Sequence, residues 1–135
     1  MTYKTRATGL MAAVLAIGLL TGCGDNKEGE DGPTVKPPKL SGDIALTAEK
    51  SGFDKSTVTA KPGTIKITVT NPTNSGTEHG VGISGGDYKN VKGAPVKPGR
   101  STSLTVAVKE GTYTIFDSYK DNREKGFETK LTVKK

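Results

Sequence analysis

Between Thr64 and Asn71 the chain reads TIKITVTN, with Ile65, Ile67 and Val69 alternating against Thr64, Lys66, Thr68 and Thr70. A period of two fits a strand with one buried face, because a helix would spread the same three apolar residues around its circumference. Ser101 to Val108 repeats the pattern, with Thr102, Leu104, Val106 and Val108 on one side. Runs at Asp43–Ala48, Thr57–Ala60, His79–Ser84, Thr112–Phe116 and Glu128–Val133 bring the expectation to about seven short strands. Pairs such as Pro62-Gly63, Pro98-Gly99 and Glu110-Gly111 supply the turns between them. No long helical repeat competes. Residues 41–135 are enough for one compact core and too few for two. Strands rich in Thr, Val and Ile at this spacing predict an all-β domain, an antiparallel two-sheet Greek-key β-sandwich.

Ahead of that domain the composition changes twice. Lys4 and Arg6 precede an apolar run from Leu10 to Leu20, LMAAVLAIGLL. The run has the length of a secretion leader, not the roughly 20 residues of a spanning helix. It ends in Leu20-Thr21-Gly22-Cys23, the pattern of a bacterial lipobox. Residues 1–22 are therefore expected to be a lipoprotein signal peptide, and Cys23 the acylated N-terminus left by its cleavage. Several acyl chains of the palmitate type hold a protein on a bilayer far more firmly than one, since each buried CH₂ contributes about 0.8 kcal/mol. From Gly24 to Leu40 the chain is GDNKEGEDGPTVKPPKL, too polar to bury a core, so residues 23–40 are read as lipidated cysteine and flexible tether. The expected location is extracytoplasmic, anchored by lipid to the cell membrane on its periplasmic or cell-surface side. Cys23 is the single cysteine, so no disulfide crosses the domain. Residues 41–135 carry 15 basic against 10 acidic groups, a mild excess spread along the strands. That is no basic stripe with interleaved aromatics, which argues against a nucleic-acid partner.

The order of short pieces is also informative. Ala60-Lys61-Pro62-Gly63 opens a strand that ends in Asn71-Pro72, and His79 leads the next. Lys97-Pro98-Gly99-Arg100-Ser101, Glu110-Gly111-Thr112-Tyr113-Thr114-Ile115-Phe116 and Gly126-Phe127-Glu128 follow before Leu131-Thr132-Val133. Together they resemble a small cupredoxin of the plastocyanin and azurin type across nearly all of residues 41–135. The resemblance implies a cupredoxin-like sandwich and, in the family, electron transfer at a copper ion. Copper there is held by a histidine, a cysteine, a second histidine and usually a methionine. Laid onto this chain, the first histidine falls on His79, the cysteine on Asp117, the second histidine on Asn122 and the methionine on Phe127. A carboxylate, an amide and a phenyl ring do not replace a thiolate, an imidazole and a thioether around Cu(I). His79 is the only histidine, so a blue-copper centre is not expected and no cofactor is assigned. A hard-metal site from His79, Asp117, Asp121 and Asn122 stays open as an alternative.

Tyr113, Ile115 and Asp117 share parity along their strand, so a core-facing Tyr113 and Ile115 would turn Asp117 into the top of the sandwich beside His79. A carboxylate buried there needs a partner. A His79–Asp117 hydrogen bond or ion pair is expected to link the two loops, with Asn122 capping backbone groups and Phe127 packing in the axial position. Enzyme activity is not expected. No serine stands in a nucleophile-elbow context, and Ser118, adjacent to Asp117, should point to the opposite face. Gly76–Gly86, GTEHGVGISGG, leads into a strand instead of a helix and lacks the ending of a phosphate loop. Two readings follow. One is a membrane-anchored binding or structural module presenting loops around Tyr88, Tyr119 and Arg123 to a protein or cell-envelope ligand. The other is a metal-handling accessory, related to copper carriers, that binds metal weakly through His79 and nearby oxygens.

Overall fold

The computed structural model describes residues 37–135, so the leader, Cys23 and the tether up to residue 36 lie outside the described residues. Eight strands follow one another: β1 Gly42–Thr47, β2 Thr57–Ala60, β3 Gly63–Thr70, β4 Gly82–Gly85, β5 Tyr88–Lys92, β6 Ser101–Val108, β7 Gly111–Phe116 and β8 Glu128–Val133. Among the described residues no helix is long and apolar enough to cross a membrane. One sheet has the order β1-β3-β6 and the other β2-β8-β7-β4-β5.

Alternation explains how these sheets meet. In β3 every second residue, Ile65, Ile67 and Val69, is fully buried. Register places Ile67 beside Ile44 of β1 and Leu104 of β6, and Val69 beside Leu46 and Thr102. Val81 and the alternating Ile83, Ile115, Leu131 and Val133 of the other sheet close on them to form one core. Full burial of each such side chain contributes about 1.5–3 kcal/mol, so the repeat that defines the strands also supplies the cohesion between sheets.

The all-β two-sheet sandwich is as expected, but the pairing is not purely antiparallel. β1 runs parallel to β3 and β2 parallel to β8. The chain reverses at every strand and crosses between sheets at each step except β4–β5 and β7–β8. A strand such as β2, inserted in the opposite layer, therefore leaves its two neighbours side by side in the same direction. The count is eight because β5 was not expected. This edge strand is mostly exposed and joins β4 through Gly85 and Gly86, both at positive φ. The run expected at His79–Ser84 contracts to Gly82–Gly85, with His79 held instead by an isolated bridge to Val96.

On the outer face of the larger sheet, Gly82 lies opposite Phe116 in the ladder. A Cβ at Gly82 would come within 2.6 Å of the Phe116 ring, so glycine is required for the ring to lie across the strand. The Arg123 guanidinium lies over that ring at 4.4 Å from its centroid and bonds Glu128, Asn90 and Ser84.

Candidate functional site

One end of the sandwich gathers His79, Asp117, Asn122 and Phe127. His79 is positioned by reciprocal backbone bonds with Val96, N to O at 3.1 Å and O from N at 2.8 Å. Just upstream, Asn71 donates from Nδ2 to Thr77 O and Val96 O, both at 2.9 Å, tying the loop before His79 to the same segment. Asp117 follows β7 directly. Because Tyr113 and Ile115 face the core, the parity of the strand carries Asp117 inward, where it is 1% exposed.

The carboxylate is fully engaged. Oδ1 accepts the backbone amides of Gly80 at 2.7 Å and Tyr119 at 2.9 Å. Oδ2 accepts His79 Nδ1 at 2.5 Å and Asn122 Nδ2 at 2.9 Å. All four partners are donors, which matches the lone-pair capacity of an ionised carboxylate. The Gly80 bond also accounts for the shortened β4, since that amide turns to Asp117 and leaves the ladder. Asn122 spends its remaining amide hydrogen on Glu78 O at 3.3 Å. Its own backbone carbonyl accepts Phe127 N at 3.2 Å, closing the loop. Phe127 stacks at 4.9 Å from the His79 ring, tilted 42°, and meets Phe53 edge-on at 5.8 Å.

The side chains of the other candidates make their contacts outside this network. Asp121 pairs with Lys125 at 3.1 Å, and that hydrogen bond holds its carboxyl below the usual range. Ser118 Oγ donates to Gly93 O and packs against Gly80. Tyr88 is committed to Ala107 O at 2.6 Å, and Arg123 to its clamp over Phe116. Tyr119, half-buried, has Lys120 over its ring.

Beside the cluster lies a cleft of about 690 Å³, with His79, Asn122 and Phe127 in its wall and residues from 47–51 and 72–77 completing it. The sequence pattern did not point to those two loops. Their only signal was Asn71-Pro72 at the end of β3, where the buried Asn71 also accepts Gly99 N through its backbone.

A blue-copper ion does not fit these residues. Every lone pair of Asp117 is taken by a donor, Asn122 turns hydrogens inward, and the chain has no second imidazole. Among the described residues no group of three or more His, Cys, Asp or Glu side chains could hold a metal.

No family model matches the chain, and no curated protein matches it. Solved structures do. An auracyanin from the photosynthetic bacterium Roseiflexus castenholzii is 21% identical, over 72% of this chain and all of its own, with a TM-score of 0.60. Auracyanin B is 18% identical over 77% of this chain and 96% of its own, at 0.63. Rusticyanin from Thiobacillus ferrooxidans is 19% identical over 71% and 79%, at 0.53.

Proposed function

Starting from a domain with the cupredoxin fold, we propose that this chain is a lipid-anchored module of the cell envelope that binds a ligand and does not carry electrons. One observation carries the reading: the Asp117 carboxylate accepts four hydrogen bonds where the resemblance would put a copper thiolate. A metal at that point would have to break charge-assisted bonds worth about 1.5–3 kcal/mol each and would gain one imidazole in return. The network therefore takes over the mechanical task of a metal, joining the loop before β4 to the loop after β7. The leader, Cys23 and tether support placement outside the cytoplasm. The metal-handling alternative is weakened because Asp121 is paired with Lys125 and no group of three or more metal-ligating side chains gathers among the described residues.

Titrating the full chain with Cu(II) tests this. No intense blue absorption is expected, and thermal stability should not depend on copper. An intense blue species would overturn the reading. Mass spectrometry of the native N-terminus should find Cys23 acylated and residues 1–22 removed; an intact leader would remove the envelope placement.

A further inference from the structure

We propose that the cleft over His79 is a binding site for a hydroxyl-bearing neutral ligand, a sugar unit of an envelope glycan. The inference rests on the reading that no metal claims His79, and it names what that module binds.

His79 is 2% exposed, its Nδ1 is tied to Asp117, and Nε2 on the far edge of the ring has no hydrogen-bond partner among the described residues. The one fully buried side-chain polar atom without a partner there is Asn71 Oδ1, so Nε2 is not sealed off. The ring lines the cleft, and Nε2 therefore opens onto it. Asn122 Oδ1, in the same wall of the cleft, likewise accepts no hydrogen bond among the described residues, while its Nδ2 and both Asp117 oxygens are engaged. The His79 ring presents one hydrogen-bonding atom, held in a fixed direction by a buried carboxylate.

The chemistry of that atom selects the ligand. Asp117 can only accept, so Nδ1 bears the proton, and Nε2 of the neutral ring accepts while that of the charged ring donates. A hydroxyl satisfies either state, whereas a carboxylate or phosphate is served only by the charged one. Formal charge in the cleft is balanced: Glu49 is next to Lys50, and Lys125 is answered by Asp121. Amide and hydroxyl side chains such as Asn74, Ser75 and Thr77 supply further polar partners, while Pro72 and Phe127 offer apolar surface for C–H groups. The volume lies within the range of about 300–1,000 Å³ usual for small-molecule sites.

NMR of the ¹⁵N-labelled full chain, titrated with glucose and with N,N′-diacetylchitobiose, tests the proposal. At least one sugar should shift the His79 ring and Asn122 amide signals saturably, with Kd in the millimolar range. His79→Asn keeps a donor where Nδ1 stood and deletes Nε2, so it should weaken binding about tenfold, the loss of one hydrogen bond. Asn74→Trp fills the mouth from an exposed position and should abolish the shifts with the fold intact. The proposal fails if neither sugar moves these signals, if acetate or phosphate does so instead, or if both variants bind as the parent does. Absence of sugar shifts in a protein that stays colourless with Cu(II) sinks this inference alone; a blue protein sinks it together with the copper-free reading.

Discussion

Replacing Asp117 with alanine removes the acceptor on which the residues before β4, the residues after β7 and His79 all converge. Four donors then lose their partner: the amides of Gly80 and Tyr119, His79 Nδ1 and Asn122 Nδ2. An unsatisfied buried donor costs about 1–3 kcal/mol. Water can reach the His79 side through the adjoining cleft, which keeps the total well below four independent losses. The expected destabilisation is about 4 kcal/mol, out of about 5–14 kcal/mol for a domain of this size. It should lower Tm by about 15–30 °C. Urea unfolding followed by far-ultraviolet circular dichroism measures it, with an unchanged m-value assigning the whole effect to stability. Asp117→Asn is the informative companion. It keeps an oxygen for the Gly80 and Tyr119 amides but turns hydrogens toward His79 and Asn122, and should cost about 2 kcal/mol. If Asp117→Ala stayed within about 0.5 kcal/mol of the parent, as a surface substitution does, the buried network would not exist in solution and the reasoning would be refuted.

Gly82→Ala should cost about 1–3 kcal/mol through overpacking, because its methyl would meet the Phe116 ring at 2.6 Å while Arg123 lies over that ring. Adding Phe116→Leu should recover part of that loss, and a strictly additive double mutant in urea unfolding would count against the contact. Burial pushes the Asp54 carboxyl up, but the Lys55 hydrogen bond, the Thr47 amide and the Lys55 charge outweigh it and hold the group below the usual carboxylate range. Its contribution is therefore complete above the unfolded value of about 4 and lost as pH falls through the lower folded value. Asp54→Asn should flatten the stability curve in that acid window, and an identical slope would contradict the assignment. Tyr88→Phe should lose about 0.5–1.5 kcal/mol and speed amide exchange along β6, since the Tyr88 hydroxyl bonds Ala107 O and links edge strands of the two sheets. Unchanged exchange would argue against that link.

Strands that bury one face were legible because burial writes a period of two into the chain. β3 and β6 match their expected spans to within a residue, and β8 matches its own. β5 was not legible, since an exposed edge strand has no inner face to demand alternation. The parallel pairs were hidden too, because sheet membership depends on where the chain crosses between layers, which local pattern does not record. At the site, the parity of Tyr113 and Ile115 was enough to turn Asp117 inward toward His79. The two backbone amides that complete its coordination could not be anticipated, as they depend on the path of Gly80 and Tyr119 after folding. The same holds for the cleft, whose walls come from segments far apart in the chain.

Strand direction has a consequence for how the domain is displayed. Gly42 at the start of β1 pairs with Ile65, and Val133 at the end of β8 pairs with Gly111 and Ala60. Both termini of the described chain therefore emerge from one pole of the sandwich, while His79 and the end of β7 crown the other, about 20 Å away by the rise of six extended residues. Within the described residues, the cleft over His79 thus lies at the pole opposite both chain ends, where neither end crosses its mouth.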